Sequence, residues 1–229
     1  MICIGHRGAK GRAPENTIFS FKEAIAAKAD FIEFDVQLSK DNVPVIIHDA
    51  TVDRTSPAKG LVSSYTLSEL KSFDFGIGEK IPTLTEVMDV AERHCKVNIE
   101  IKNIDALDLV VKEVKKRIAS GAWTKNDFLI SYFGVKALII FKMKMPKIKT
   151  SVLSERLPYI SALVARLIGC SFLGIEDKKC SRGLVVFSHL IGLKINVWTV
   201  DEPAEITRFK EMGVDGLIGD FPDLIKDFD

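Results

Sequence analysis

The stretch FIEFDVQL, residues 31–38, has the composition of a β-strand but carries two acidic residues in its centre. Successive side chains of a strand point to opposite faces, so Glu33 and Asp35 share one face and Phe34 lies on the other. Strands of a parallel sheet are normally apolar throughout, because both of their faces are buried. Two ionised carboxylates on a buried face repel each other and lose hydration, which costs several kcal/mol per ion unless a positive charge lies between them. A divalent cation is the simplest candidate for that charge.

Short apolar runs alternate with helical segments on both sides of this stretch, a pattern typical of βαβ units around a parallel sheet. If residues 31–38 and 44–48 form one hairpin, the chain holds about eight β/α units, which predicts an α/β fold of the (β/α)8 or TIM-barrel type rather than an open sheet. The predicted strands are residues 2–5, 31–38, 44–48, 96–102, 128–133, 148–153, 172–176, 194–200 and 215–219. The predicted helices lie near residues 16–28, 83–94, 105–119, 134–143, 156–168, 182–192 and 203–212.

Capping and turn-forming residues mark the boundaries of these segments. Asn16 can cap the first helix, because the apolar residues after it have helical spacing, and Thr83 begins a T-x-x-E capping box. Residues 49–80 interrupt the β/α rhythm with turn formers and one short helical piece near residues 66–72. We expect this segment to be a small insertion over one end of the barrel, within a single domain formed by residues 1–229.

The overall composition excludes several classes of partner. Of the 229 residues, 47% are hydrophobic and 28% are charged, and the formal net charge is +1. Such a balance provides no global field that would attract nucleic acid or an anionic membrane. No apolar run reaches the length of a membrane span, and the N-terminal apolar run is too short for a signal peptide. We therefore expect a cytoplasmic protein with reduced cysteines, without a nucleic-acid partner and without stable membrane association; its oligomeric state stays open.

The run FKMKMPKIK (141–149) combines lysines with methionines. Such a run can bind an acidic membrane surface, but we interpret it as a solvated helix end that leads into a strand, with Met143 and Met145 packed inward. His94 and His189 lie in predicted helices among apolar residues, and we interpret both as hydrogen-bonded structural histidines.

Polar residues collect at the predicted carboxyl ends of the strands. In a parallel barrel all of these ends open on the same mouth, where polar side chains are typical of catalysis. The residues are His6, Arg7, Glu33, Asp35, His48, Glu100 and Lys102.

The chemistry of this set favours a metal-assisted reaction on a phosphate ester. Three carboxylates without a nearby cysteine favour one hard divalent cation, Mg²⁺ or Ca²⁺, over zinc. Three carboxylates, one such ion, Arg7 and Lys102 leave the site at about +1, which a phosphodiester monoanion would neutralise. His6 and His48 can then act as an acid–base pair, one removing a proton from the attacking oxygen and the other protonating the leaving alkoxide. We expect the glycines after His6 to present backbone N–H groups to the phosphate, and Glu15 with Asn16 to brace that loop or extend the metal site.

Read together, these residues resemble the glycerophosphodiester phosphodiesterase family. Six motifs occur in family order along the chain, which makes the combined signal far more specific than any one of them. They are HRG with PENT (6–8 and 14–17), EFDV (33–36), HD with DRT (48–55), PTLTEV (82–87), IEIK (99–102) and VWTVD (197–201).

The resemblance implies a (β/α)8 barrel and metal-dependent hydrolysis of glycerophosphodiesters to sn-glycerol 3-phosphate and an alcohol. Carried over by position, the implied metal ligands are Glu33, Asp35 and Glu100, the acid–base pair is His6 and His48, the phosphate contacts are Arg7 and Lys102, and Trp198 is a wall on the substrate side.

The chain departs from the family pattern at two strand ends. Gly219 stands where relatives often have threonine, and we expect a small effect. Tyr132 stands where many relatives have a second serine, so we expect a changed pocket rim, with Ser131 still available as a polar contact.

Several alternatives stay open at this stage. A lysophospholipase D or a phosphoinositide-type phosphodiesterase would use the same machinery on lipids, but the insertion offers few apolar residues for a lipid surface. A phosphate-binding relative without turnover would not need the two histidines. The alcohol released, the choice between Mg²⁺ and Ca²⁺, the assignment of acid and base, and attack by water or by a substrate hydroxyl are also open.

Overall fold

The computed structural model describes residues 1–228, and its strands form a closed (β/α)8 barrel, as the sequence predicts. Eight parallel strands form a ring, which closes because the first strand pairs with both the second and the last. The strands are β1 (Ile2–Gly5), β2 (Phe31–Leu38), β3 (Pro44–Ile46), β4 (Lys96–Ile101), β5 (Phe128–Tyr132), β6 (Lys149–Ser154), β7 (Phe172–Glu176), β8 (Lys194–Trp198) and β9 (Gly216–Gly219). The helices are α1 (Ile18–Ala26), α2 (Leu67–Ser72), α3 (Leu84–Ala91), α4 (Leu107–Ala119), α5 (Val135–Lys144), α6 (Pro158–Leu167), α7 (Arg182–Leu190), α8 (Pro203–Met212) and α9 (Pro222–Asp227).

Strand β3 is the ninth strand of the sheet and lies outside the ring. It pairs antiparallel with the carboxyl-terminal half of β2, which confirms the predicted hairpin. The predicted insertion follows β3 and contains α2, and it folds around its own small apolar cluster, which includes Val52, Leu70 and Phe75. Because β3 joins the end of β2, this segment stands at the mouth of the barrel.

Two apolar layers on either side of the strands stabilise the ring. The larger one lies between strands and helices and includes Phe34 and Val36 of β2. The smaller one fills the interior of the barrel and includes Ile4, Phe31 and Leu129. Along β2, therefore, the inward side chains change from apolar at Phe31 to acidic nearer the mouth, while the outward side chains stay apolar throughout.

The helix starts agree with the capping signals except at α1. Thr83 and Thr66 each head a complete capping box, on α3 and α2. The cap of α1 is Thr17, whose hydroxyl accepts from the backbone N–H of Ser20, so the prediction that Asn16 caps this helix is wrong. Asn16 has a φ of 58°, and its side chain turns toward the barrel instead.

None of the helices within residues 1–228 is long and apolar enough to cross a membrane. The four cysteines form no disulfide among these residues, and Cys3, Cys170 and Cys180 are buried, as expected for reduced thiols.

Candidate active site

Three carboxylates meet inside the mouth of the barrel. Glu33 and Asp35 extend from β2, and Glu100 extends from neighbouring β4, where it pairs in register with Asp35. All three are buried, and one oxygen of each lies within 4.8 Å of the others. The alternation predicted from FIEFDVQL holds, because Phe34 is fully buried on the opposite face.

Burial and mutual repulsion disfavour full ionisation of this cluster. Burial raises the pKa of Glu33 well above its usual value, and the charges of Asp35 and Glu100 raise it further. Burial and the charge of Asp35 likewise raise the pKa of Glu100, from 4.5 to about 7. Burial acts on Asp35 in the same direction, but Lys102 and Arg7 outweigh it and hold the pKa of Asp35 below its usual value. One carboxylate is thus compensated by the protein, and the other two lack sufficient positive charge.

Lys102 and Arg7 supply the compensation. The Lys102 ammonium lies 2.5 Å from an oxygen of Glu100 and 3.3 Å from one of Asp35. The backbone N–H of Arg7 donates to Glu33 at 2.9 Å, and its Nε lies 3.5 Å from Asp35. Burial disfavours both cations, but the surrounding carboxylates raise the pKa of Arg7 and of Lys102 above their usual values.

The donor set fits a divalent cation. All three candidate ligands are carboxylate oxygens, which Mg²⁺ and Ca²⁺ prefer, and no cysteine or histidine belongs to the group. Ligand oxygens about 2.1–2.5 Å from one ion lie up to about 5 Å apart, as these do. The raised pKa values of Glu33 and Glu100 also favour a bound cation, because an added positive charge would relieve the repulsion among the carboxylates that raises them.

His6 and His48 line the same cavity, each with a carboxylate on its Nδ1. His6, directly after β1, has its Nδ1 2.5 Å from Asp220, which follows β9. His48, after β3, has its Nδ1 2.6 Å from its neighbour Asp49. Such a carboxylate holds the proton on Nδ1 and leaves Nε2 free for a ligand in the cavity. Burial lowers the pKa of His48 below its usual value, although Asp35 and Asp49 oppose that shift.

Arg54 of the insertion connects the two sides of the site. Its guanidinium donates to both oxygens of Glu15 at 2.7 Å and to Asp49 at 2.7 Å. Glu15 in turn accepts from Arg7 at 2.7 Å. Burial favours the protonated form of Glu15, but Arg54 and Arg7 outweigh it and lower its pKa to about 2. Glu15 therefore braces the loop, one of the two roles expected for it, and the acidic cluster does not include it.

The cavity has a volume of about 290 Å³, and its walls differ in polarity. Ser131 lies buried on the floor and donates to Asn98 at 3.0 Å. Trp198 lines the opposite wall and meets the ring of Phe133 edge-on, with the centroids 5.9 Å apart. Tyr132, expected at the rim, instead packs on the core between strands and helices, and Phe133 takes the rim position.

The glycines of the first loop do not present their N–H groups to the cavity. Gly8 donates to the carbonyl of Gly5 and Gly11 to that of Asp220. Gly8 has a φ of +87°, and a Cβ there would lie 2.4 Å from the hydroxyl of Ser20 on α1. These glycines permit close packing of the loop rather than phosphate contact, so that expectation is wrong. Asn16, expected at the same loop, donates to Asp35 at 2.9 Å.

Sequence reasoning assigned no role to Asp49, Arg54 and Asp220, although two of them lie in the HD and DRT motifs. Asp220 follows the last barrel strand, so its position at a strand end is the same signal that identified His6. His189, interpreted as a structural histidine, does hydrogen-bond a carboxylate, that of Asp215 at 2.9 Å, and does not line the cavity.

Buried cations beside a carboxylate cluster, with imidazoles turned toward the same small cavity, favour an anionic substrate and proton transfer. The class that this barrel and site define is a hydrolase of phosphate esters.

Comparison with known proteins specifies that class. The Glycerophosphoryl diester phosphodiesterase family matches residues 6–224. The glycerophosphodiester phosphodiesterase of Caldanaerobacter subterraneus subsp. tengcongensis is 36% identical over 237 residues, covering 98% of this chain and 96% of the relative. That of Bacillus altitudinis is 34% identical over 232 residues, covering 96% and 94%.

Solved structures give the same result. The chain is similar to an Oleispira antarctica phosphodiesterase in complex with the product sn-glycerol-3-phosphate, with a TM-score of 0.89, 26% identity and coverage of 99% of this chain and 96% of that one. It is also similar to the glycerophosphodiester phosphodiesterase of Thermotoga maritima, with a TM-score of 0.85, 27% identity and coverage of 100% and 99%. The chain belongs to the glycerophosphoryl diester phosphodiesterase family, as its motifs predict, and is a phosphoric diester hydrolase with glycerophosphodiester phosphodiesterase activity.

The raised pKa of Glu100 predicts that chelator-treated protein becomes less stable as the pH rises. Between 4.5 and about 7 the folded chain holds a proton on Glu100 that the unfolded chain has released, so the free energy of unfolding falls as the pH rises. Glu100→Gln removes this titration. Urea unfolding at pH 5 and pH 7.5 should show a decline that is about 1–3 kcal/mol smaller in Glu100→Gln than in the wild type.

Glu211→Gln is the matched control, because Glu211 is exposed and lies near the carboxyl end of α8, at the end of the helix away from the barrel mouth. This control should follow the wild type. An equal decline in the wild type and Glu100→Gln would show that Glu100 is ionised in the folded metal-free protein at pH 5.

Proposed function

We propose that this enzyme hydrolyses glycerophosphodiesters to sn-glycerol 3-phosphate and an alcohol, with one divalent ion on Glu33, Asp35 and Glu100 and with His6 and His48 as the acid–base pair. The observation that carries the proposal is the shared cavity, which is lined by two of these carboxylates and by both histidines. The Oleispira antarctica relative in complex with sn-glycerol-3-phosphate supports the assignment of the product.

The ion is Mg²⁺ or Ca²⁺, since the site offers only oxygen ligands. When bound, it supplies Lewis-acid stabilisation of negative charge on the phosphoryl oxygens. With the ion, the three carboxylates and the two cations sum to about +1, so a phosphodiester monoanion neutralises the site and a dianionic monoester overcompensates it. This balance favours entry of the diester and release of the monoester product.

Arg7 and Lys102 bind the phosphate in this mechanism. Both line the cavity, and their carboxylate partners hold them in place before substrate arrives. A positioned guanidinium and ammonium stabilise charge that develops on the phosphoryl oxygens, without the cost of reorienting in the transition state.

The histidines move the protons. Asp220 and Asp49 fix the ring orientation of His6 and His48 and stabilise the imidazolium that forms when either ring takes a proton. One Nε2 accepts the proton of the attacking oxygen, and the other ring, which enters the step as an imidazolium stabilised by its carboxylate partner, donates its Nε2 proton to the leaving alkoxide. Trp198 and Phe133 provide an apolar wall for the carbon skeleton of the substrate, and Ser131 with Asn98 forms the polar floor.

The first experiment measures release of sn-glycerol 3-phosphate from glycerophosphocholine and glycerophosphoethanolamine with Mg²⁺, with Ca²⁺ and after chelation. We expect release that depends on one of the two ions. If folded protein releases no product with either ion, lysophospholipids become the next substrates, and a chain inactive on those as well would be a phosphate-binding relative without turnover.

Substitution of the histidines separates catalysis from metal binding. His6→Ala and His48→Ala should each lower kcat by about 10²–10⁴-fold, while the metal-induced rise in melting temperature stays near that of the wild type. Glu33→Ala should lose both turnover and the metal-induced rise in melting temperature. The control is His189→Ala, because His189 is also paired with a carboxylate but lies outside the cavity. Near-full activity of His6→Ala would rule out the two-histidine mechanism.

Arg54 is proposed as a positioning residue, because it touches the partners of His48 and Arg7 rather than lining the cavity itself. Arg54→Gln should lower kcat by about 10- to 100-fold through displacement of those two groups, while urea unfolding shows a loss of at most about 1 kcal/mol.

Arg12→Gln is the matched control, since Arg12 is similarly exposed and pairs with Asp223 away from the carboxylate cluster. It should keep wild-type kcat. If Arg54→Gln also keeps wild-type kcat, the ion pairs of Arg54 with Glu15 and Asp49 are not needed to position Arg7 and His48.

A further inference from the structure

Exposed apolar side chains gather on one side of the barrel. Within residues 1–228, thirteen large hydrophobic side chains are exposed, and eleven of them lie between residues 133 and 190. We call the solvent side of α5, α6 and α7 the α5–α7 face. It is represented by Ile139 and Met143 on α5, Leu163 and Leu167 on α6, and Val186 and Leu190 on α7.

Each helix contributes a stripe of residues four apart, which lie one above the other on a helix surface. The exposure is extensive: Met143 is 80% exposed, Leu167 84% and Leu190 80%. Met143 was expected to pack inward, and that expectation is wrong. Helix α5 also buries Leu138 and Phe141 on its other side, so it has apolar residues on both faces. It carries three lysines as well, so its outer face is apolar and basic together.

The three stripes lie on adjoining helices. The side chain of Lys142 on α5 reaches Gly169 at the end of α6. The rings of Tyr159 on α6 and Phe187 on α7 meet at 5.4 Å between centroids. Contiguous exposed apolar surface of this kind marks an interaction site, because monomeric proteins seldom expose a patch of more than a few hundred Å².

The same part of the chain has a local excess of positive charge. Residues 133–190 contain ten Lys and Arg against three Asp and Glu, a net +7, so the remainder of the sequence has 22 against 28, a net −6. Among residues 1–228, only Lys144 of these ten forms an ion pair, with Asp108 at 2.9 Å. The neutral total charge of the chain therefore conceals a basic, apolar side and an acidic remainder.

We propose that the α5–α7 face docks the enzyme reversibly on an anionic lipid bilayer. Exposed apolar side chains in a segment whose Lys and Arg mostly lack carboxylate partners match such a surface, since the apolar groups enter the interface and the cations remain at the lipid head groups. A second copy of the chain is a poorer partner, because face-to-face pairing would oppose two regions of net +7. This association is peripheral, without a spanning helix, and the inference does not rest on the proposed mechanism.

Docking in this manner places the cavity beside the lipid. Phe133 precedes α5 at the mouth of the barrel, lines the cavity and is 45% exposed at the upper edge of the face. A substrate released from the bilayer surface would then enter the mouth over Phe133 and Trp198, whose rings are in contact.

The test is co-sedimentation of the full chain with vesicles of phosphatidylcholine alone and of equimolar phosphatidylcholine and phosphatidylglycerol. We expect binding to the anionic vesicles to be about tenfold tighter or more, and to weaken as NaCl is raised, because charge contributes at each basic residue near the surface. Leu167→Glu and Leu190→Glu should each reduce that binding about tenfold.

Ile77→Glu is the matched control, because Ile77 is 75% exposed but lies in the insertion, away from the face. It should bind vesicles like the wild type, and all three variants should retain wild-type turnover of glycerophosphocholine in solution. The proposal is overturned if wild type does not distinguish the two vesicles, if Leu167→Glu and Leu190→Glu bind unchanged, or if the face instead forms a dimer that Leu167→Glu dissociates without any vesicle binding.

Discussion

The repulsion among Glu33, Asp35 and Glu100 is the constraint on which the rest of the site depends. Three carboxylates are buried within 4.8 Å of each other at the mouth of a barrel whose lower interior is apolar. The protein meets this cost only partly, with Arg7 and Lys102 on the two sides of Asp35. Because the carboxylates outnumber those cations by one, the site fits a positive ligand, and a divalent ion bound there would make its charge suit a negative substrate. Stability of the metal-free chain and chemistry on a phosphate thus have the same electrostatic origin.

A second set of charges holds the groups around this centre. Arg54 lies in the insertion, yet it forms ion pairs with Glu15 of the first loop and with Asp49 after β3. Through them it is linked to Arg7 on one side and to His48 on the other. The insertion has its own apolar cluster, so it can present Arg54 from a firm support. This arrangement brings the segment that breaks the β/α rhythm into contact with the candidate site.

Much of this was predictable because strand periodicity is local. Once residues 31–38 are a parallel strand, alternation alone places Glu33 and Asp35 inward and Phe34 outward, and common strand direction brings His6 and Lys102 to the same mouth. The pairing of His6 with Asp220 is different, since 214 residues separate them and only ring closure between β1 and β9 brings them together. The misassigned cap at Asn16 has a local cause. Its positive φ turns the side chain to Asp35, and the next residue, Thr17, is left in the extended conformation that a cap requires.

The α5–α7 face shows where local reasoning reaches its limit. From the sequence, the run at residues 141–149 is interpreted as a solvated helix end rather than a membrane contact, because the order of its lysines and methionines along the chain does not show how they are arranged in space. Only the folded structure shows that Met143, Leu167 and Leu190 are all exposed, on three successive helices of the outer layer. The net charge misleads for a related reason, since +1 is the sum of +7 and −6 in different parts of the chain. A bilayer interacts with one side of a molecule, so the charge that governs docking is that of the side and not that of the whole. The barrel fold separates catalysis from docking. The strand ends at the mouth carry the catalytic groups, and the outer surfaces of the helices remain available to bind a membrane.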